Sequence, residues 1–316
     1  MKDIRHILIL PLLLLFTMAV TNVYAQQEDA EALFAMGNRY ANGEGVEHDM
    51  KKAVEYYEKA ASQGYAPAQC TLGSFYLVGI EVRRNPEKAF NLYEKAAAQG
   101  YAQAQYNLGF LYKNGDIVEQ DMTKAYEWFE KAADQGLAQA QFEMGQRYDE
   151  GEGVEQDLKK AIEWYEKAAA QGYHKAQCNL GYYYEKGIGV EQDLKKAADL
   201  YEKAASLGDA QAQFNLGIFY IYGKGVEKDM KKACEWMEKA ADQGLAQAQY
   251  NAGIFYYNGE GVEQDMKKAI EWFEKAAEQG HTKAQSALGQ IYEEGEGVEK
   301  NPEKAAYWKK RAASPK

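Results

Sequence analysis

From Asp29 onward, glycine and apolar positions recur along the chain with a fixed period. Glycine returns every 36 residues in two series, which start at Gly37 and Gly64. Within each period, two apolar runs with the spacing of α-helices are separated by a short glycine-rich segment. A period of this length is typical of stacked helical repeats, in which each unit buries its apolar face only against its neighbours.

The third period shows the two helices that the pattern predicts. Ala102 to Lys113 is apolar on nearly every side, and Asn114-Gly115 ends this first helix. Asp121 caps a second, amphipathic helix, which closes at Gly136. Because a helix that is apolar all round is normally packed on both sides, we expect the first helix on the inner side of a superhelix and the second on its outer side.

The spacing continues to the last residue without insertion or deletion. We therefore predict an all-α fold, an α/α superhelical solenoid of eight 36-residue helix-loop-helix repeats. The predicted units, numbered here as repeats 1 to 8, are 29–64, 65–100, 101–136, 137–172, 173–208, 209–244, 245–280 and 281–316.

The segment before the repeats has a different pattern. Lys2 and Arg5 precede an apolar run at residues 7–20, and Val23-Tyr24-Ala25 fits a cleavage site for signal peptidase. The run is shorter than the roughly 20 residues that span a bilayer, which disfavours an uncleaved anchor. We predict a signal peptide at residues 1–25, a short segment at 26–28, and a periplasmic or secreted protein with no stable membrane insertion after cleavage.

One repeat carries a recognisable family pattern. It closely resembles the consensus of the Sel1-like repeat family, relatives of the tetratricopeptide repeat, through Ala212-Gln213-Phe214-Asn215-Leu216-Gly217, Tyr220, Gly223-Lys224-Gly225-Val226 and Lys239-Ala240-Ala241. The resemblance extends over all eight units. It implies a right-handed α/α superhelix that serves as a scaffold for protein–protein interaction.

Composition narrows the function classes. The chain is 46% hydrophobic and 13% aromatic, which is too apolar for a disordered protein. A formal net charge of −11 argues against a nucleic acid as partner.

Residues with catalytic or metal-binding chemistry are few. Cys70, Cys178 and Cys234 replace apolar core residues of other repeats, so we expect three buried thiols without a disulfide. His48 and His174 and His281 are expected in solvated turns, and no metal site or cofactor is predicted. We predict that the protein is not an enzyme, since no nucleophile, base and orienting group can be assembled.

Some relatives in the resembled family are cysteine-rich exported proteins for which penicillin binding and β-lactamase activity have been claimed. This chain lacks their paired cysteines and has no Ser-x-x-Lys motif. A β-lactamase-like hydrolase is therefore only a remote alternative.

The repeats vary most along one stripe of the first helix. The stripe occupies positions 3, 7, 10 and 14 of each unit, which share one helix face. Because the first helix is expected to line the inner side, we predict a partner-binding concave groove. Its candidate residues are Asn107, Phe110, Asn179, Tyr182, Asn215, Ile218, Tyr222, Asn251 and Ile254.

These side chains suit a polypeptide ligand. Asparagine amides both donate to and accept from a peptide main chain, and the bulky residues offer an apolar bed. The sequence predicts a non-enzymatic scaffold that binds a protein or peptide in its groove. The alternative is a cell-envelope accessory protein that binds glycan or peptidoglycan fragments on the same aromatic residues.

Overall fold

The structure is a computed structural model that describes residues 29–313. The predicted signal peptide at residues 1–25 lies outside these described residues. Every regular element between residues 29 and 313 is an α-helix, and there are two helices in each repeat. The predicted all-α solenoid of helix-loop-helix repeats is confirmed.

The chain divides into two compact units, of which the first ends at Leu137 and the second begins at Ala138. Within each unit, every helix contacts the next one along the chain. In the first unit, helices α1 to α6 are Ala30–Asn42, Met50–Ser62, Ala66–Val78, Pro86–Ala98, Ala102–Asn114 and Met122–Asp134. In the second unit, helices α7 to α16 are Ala138–Glu150, Leu158–Ala170, His174–Lys186, Leu194–Ser206, Ala210–Tyr222, Met230–Asp242, Ala246–Asn258, Met266–Glu278, Thr282–Glu294 and Pro302–Ala313.

Local sequence signals set the helix ends. The carboxylate of Asp121 accepts a hydrogen bond of 3.0 Å from the backbone N–H of Lys124, which caps the start of α6. The first helix of the same repeat ends at Asn114, one residue later than predicted, because Gly115 takes a left-handed conformation with φ 76°. The same two devices recur in the other repeats, so the helices keep nearly constant length.

The two helices of a repeat approach closely at a glycine. A Cβ atom at Gly145 would lie 2.5 Å from Cε1 of Tyr165, and one at Gly253 would lie 2.5 Å from Cε1 of Phe273. The facing second helices also bury alanines such as Ala161 completely. Glycine in the first helix is therefore required by packing against the ring of the second helix.

A ladder of buried glutamines joins successive repeats. Gln213 donates from Nε2 to the carbonyl of Ala205 at 3.1 Å, and its Oε1 accepts from Nε2 of Gln243 at 2.8 Å. Gln249 repeats this arrangement with Ala241 and Gln279. Each buried amide thus has both a donor and an acceptor partner, as a buried polar group requires.

Repeat 5 breaks this glutamine ladder. Gln177 is only 5% exposed and donates to Ala169, but its Oε1 has no hydrogen-bond partner. The residue that should supply the donor is Leu207, whose side chain is 60% exposed. A buried acceptor without a donor costs about 1–3 kcal/mol.

We predict that Leu207→Gln stabilises the protein by about 1–2 kcal/mol, because the new amide supplies the missing donor to Gln177. Urea unfolding followed by circular dichroism measures the change. The matched control is Leu207→Met, which has the length of glutamine but no donor and should leave stability within about 0.5 kcal/mol of wild type. Equal stabilisation by both substitutions would contradict the ladder explanation.

The three cysteines occupy the core, as predicted. Cys70, Cys178 and Cys234 are all buried and have free thiols. Burial raises the pKa of Cys70 and of Cys234 to about 12, and it raises the pKa of Cys178 further. All three groups are therefore protonated and weakly reactive at neutral pH.

We expect the native protein to react slowly with iodoacetamide at all three cysteines and rapidly once urea unfolds it. Mass spectrometry before and after denaturation counts the modified thiols. A native mass lower by two protons would reveal a disulfide and contradict the burial argument.

The histidines of the second unit lie at the junctions between repeats, as expected, but they are only partly solvated, because their rings contact neighbouring side chains. His281 caps α15, where its Nδ1 accepts from the N–H of Ala284 at 3.2 Å. Its ring stacks on Tyr250 with centroids 4.7 Å apart, and Nε2 lies 3.1 Å from Oε1 of Gln247. His174 likewise pairs with Asp209 at 2.8 Å. Both histidines thus fill the seams between repeats.

The cap at His281 requires a neutral ring. Burial lowers the pKa of this histidine from 6.5, and the charge of Lys283 adds to the effect. Just below pH 6.5 the unfolded chain therefore binds more protons than the folded chain. The contribution of His281 to stability is present above this pH and is lost as the pH falls below it.

We predict that the stability difference between wild type and His281→Asn changes with pH. Asparagine also caps a helix but does not titrate, so wild type should lose stability relative to the variant between about pH 7 and about pH 5. Urea unfolding at each pH measures the difference. A constant difference over this range would show that His281 does not titrate with folding.

Candidate functional site

The predicted groove residues fall on three kinds of repeat position and in both units. Asn107 and Phe110 lie on α5 in the first unit, and the other seven lie in the second unit. These seven are Asn179 and Tyr182 on α9, Asn215, Ile218 and Tyr222 on α11, and Asn251 and Ile254 on α13.

Three adjoining cavities run across the first helices of repeats 5 to 8. The first cavity, of about 410 Å³, lies between α9 and α11, and the second, of about 320 Å³, lies between α11 and α13. The third, of about 160 Å³, lies between α13 and α15. Ile218 lines both the first and the second cavity, and Ile254 lines both the second and the third. The cavities therefore form one continuous row, which we call the cavity row.

The structure brings all seven predicted residues of the second unit into the cavity row. Tyr182 is 46% exposed and Tyr222 is 69% exposed, so both rings face solvent at the cavity edges. Ile218 and Ile254 are partly buried and pack against the core. The row thus combines a fixed apolar base with two exposed aromatic side chains.

In the first unit, the two candidates make contacts within the protein. The ring of Phe110 packs edge-on against Phe129, with centroids 5.3 Å apart, and is only partly exposed. Asn107 donates from Nδ2 to Sγ of Cys70 at 3.6 Å and accepts from Gln103 at 3.2 Å. In this unit the two candidates therefore pack within their own repeat, and Asn107 also contacts the preceding repeat through Cys70.

The polarity of the cavity row changes along its length. In repeat 5 the ring from the second helix is Tyr201, whose hydroxyl donates to Glu185 at 3.1 Å beside the first cavity. In repeat 7 the equivalent ring is Phe273, which lines the third cavity with carbon atoms only. Met237 takes this place in repeat 6. The residue that faces the glycine therefore carries a hydroxyl in repeat 5 and none in repeats 6 and 7.

Charges in the first cavity are paired. Glu185 lies 3.0 Å from Nζ of Lys186 and 3.4 Å from Nζ of Lys224. Burial alone would raise the pKa of this carboxyl, but hydrogen bonds from Lys186 and Tyr201 outweigh burial and lower it. Glu185 is therefore ionised and locally neutralised.

The asparagine amides are partly engaged by the protein. Oδ1 of Asn215 accepts from Nε2 of Gln211 at 2.9 Å, and Nδ2 of Asn251 lies 3.9 Å from the sulfur of Met237. An amide has two donor and two acceptor sites, so these contacts leave capacity for a ligand.

Two carboxylates of the cavity row were not among the predicted groove residues. Glu260 lines the second cavity and Glu296 lines the third. Each is the middle residue of a Gly-x-Gly loop between the two helices of a repeat. The signal was present, since this middle position also varies from repeat to repeat.

One cluster contains residue types found in catalytic sites. Asp209 contacts His174, and its carboxylate also lies close enough to Cys178 to affect the thiol. Burial and this neighbouring carboxylate raise the pKa of Cys178, which disfavours the thiolate that a nucleophile requires. The carboxylate of Asp209 also caps α11 through the N–H of Ala212. These contacts give the cluster a structural role.

Metal binding and membrane insertion are two further possibilities for the described residues 29–313. No group of three or more His, Cys, Asp or Glu side chains there could hold a metal ion. Within the same residues, none of the helices has the length and apolar character needed to cross a membrane.

Two solved structures of other proteins are similar to this chain. A protein described as c5321, a protective antigen present in uropathogenic Escherichia coli strains, is 37% identical, has a TM-score of 0.78 and covers 94% of this chain. This chain spans 63% of the length of c5321. A Sel1 repeat protein from Oxalobacter formigenes is 34% identical with a TM-score of 0.67, covering 77% of this chain and 96% of its own. No curated protein matches the sequence.

A family model described as Sel1 repeat matches nearly all of the described chain. Its eight matches cover residues 30–65, 66–101, 102–137, 138–173, 174–209, 210–245, 246–281 and 282–314. Together with the two-helix repeats and the solved relatives, these matches show that the chain belongs to the Sel1 repeat family.

Proposed function

We propose that the protein is a non-catalytic scaffold that binds an extended segment of a partner protein in the cavity row. The observation that carries this proposal is the continuity of the three cavities across repeats 5 to 8, with Tyr182 and Tyr222 exposed at their edges. Exposed aromatic side chains beside a concave apolar surface are typical of interaction sites.

An extended polypeptide fits the chemistry of this surface. Its side chains can enter the apolar cavities near Ile218 and Ile254, while its main chain can pair with the remaining donors and acceptors of Asn179, Asn215 and Asn251. Rigid helices hold these groups in place, so binding requires little ordering of the protein itself.

We further propose that the protein is exported, to the periplasm or beyond. The apolar run at residues 7–20 and the small residues before position 26 support this location. The relative c5321 is described as a protective antigen, which agrees with export.

A second candidate ligand is a glycan of the cell envelope. The rings of Tyr182 and Tyr222 are exposed, and an exposed aromatic ring offers a flat apolar face on which a sugar can stack. Selection of binders from a random peptide library, in parallel with binding assays on a panel of muropeptides, separates the two ligand classes.

We predict that Tyr182→Ala and Tyr222→Ala each weaken binding of a library-selected peptide by about 1–3 kcal/mol. Both side chains are exposed, so helicity should not change. Asn179→Ala and Asn215→Ala should each weaken binding by about 1 kcal/mol through lost main-chain hydrogen bonds. Calorimetric titration measures affinity, and circular dichroism measures helicity.

The control for these variants is Glu163→Ala, an exposed position on the second helix α8 that lines none of the three cavities. Its affinity should equal that of wild type. If the groove variants keep full affinity while Glu163→Ala loses it, the binding surface lies on the second helices and the proposal is wrong. Binding of muropeptides alone would favour the glycan alternative.

A further inference from the structure

The second and third cavities differ from the first in the charged residues that line them. Glu260 lines the second cavity and Glu296 lines the third. No Lys or Arg is among the described residues that line either cavity. This contrasts with the first cavity, where Lys186 and Lys224 neutralise Glu185.

Neighbouring polar groups orient both carboxylates. Glu260 accepts from Nδ2 of Asn258 at 3.1 Å, and Glu296 accepts from the hydroxyl of Tyr257. This hydrogen bond raises the pKa of Tyr257, which keeps its hydroxyl protonated as a donor. Each contact occupies one carboxylate oxygen and leaves the second oxygen to accept from a ligand.

Both carboxylates share their cavities with apolar side chains. Ile221, Met230 and Ile254 line the second cavity, and Phe273 and Ile291 line the third. Low-dielectric walls beside a single sign of charge strengthen the local electric field. A ligand that places an aliphatic side chain in a cavity therefore gains further stabilisation from a positive charge near its rim.

We propose that repeats 6 to 8 select a segment rich in aliphatic and basic residues. Its aliphatic side chains occupy the second and third cavities, and its Lys or Arg side chains pair with Glu260 and Glu296. The net charge of −11 of the whole chain favours encounter with such a cationic partner. This inference rests on the proposed function, because it specifies the ligand of the same cavity row.

The test uses three fluorescent dodecapeptides built from repeats of Leu-Ser-Lys, Leu-Ser-Gln or Leu-Ser-Glu. In an extended polyproline-like chain every third residue recurs after about 9 Å, close to the spacing of packed helices of about 8–10 Å. Fluorescence anisotropy with the purified protein measures each affinity. We expect the lysine peptide to bind about threefold to tenfold more tightly than the glutamine peptide, and the glutamate peptide to bind most weakly.

The decisive variant is Glu260→Gln combined with Glu296→Gln, which removes both charges and keeps the side-chain shape. In this variant the affinities for the lysine and glutamine peptides should differ by no more than about twofold. The matched control is Glu235→Gln combined with Glu271→Gln, which makes the same charge change at exposed positions on second helices. The control should keep the wild-type preference for the lysine peptide over the glutamine peptide. Added salt should reduce this preference in the wild-type protein.

The outcomes separate this inference from the proposed function. If the glutamine peptide binds and Tyr222→Ala weakens it, but lysine gives no gain over glutamine or glutamate, the groove function stands and the basic preference is wrong. If the control double variant removes the preference as fully as the groove variant, overall charge explains it and the inference also fails. If none of the three peptides binds at about 1 mM, the groove function itself is wrong.

Discussion

In six of the eight repeats a glycine of the first helix lies against a ring of the second, and this close contact sets the separation of the two helices. At Gly145 and Gly253 even a methyl group would lie 2.5 Å from a ring carbon. Because the helices approach so closely, the ring of Phe273 packs against the first helix of its repeat and also lines the third cavity. The residue that holds a repeat together therefore also helps to form the base of the ligand surface, as Phe273 does in the third cavity.

The polarity of the cavity row follows from this arrangement. A tyrosine such as Tyr201 brings a hydroxyl that holds Glu185, and this carboxylate in turn gathers two lysines. A phenylalanine or methionine brings no hydroxyl, and the surface above it stays apolar. The hydroxyl of Tyr201 thus helps to hold the charged network of the first cavity.

The fold was predictable from the sequence because its signals are local and repeated. Asp121 caps a helix and Gly115 ends one through contacts with residues close by in the sequence. The position of the stripe was also predictable, since helical geometry assigns it to one face. What each stripe residue does depends on neighbours that are distant in sequence, as with Phe110 on Phe129 or Asn107 on Cys70. Those contacts follow from the distance between helices, which no local pattern specifies.

The walls of each cavity come from the first helices of two adjacent repeats, and a second-helix residue, Met230 or Phe273, also lines the second and third cavities. Binding chemistry is therefore partitioned into the same units as the chain, and all eight units have the same frame. Duplication or loss of one whole unit would lengthen or shorten the surface by one subsite and leave the glycine–ring contacts intact. Exchange of whole units between relatives would rearrange charged and apolar subsites one unit at a time. Recombination would then change binding specificity without passing through a misfolded intermediate.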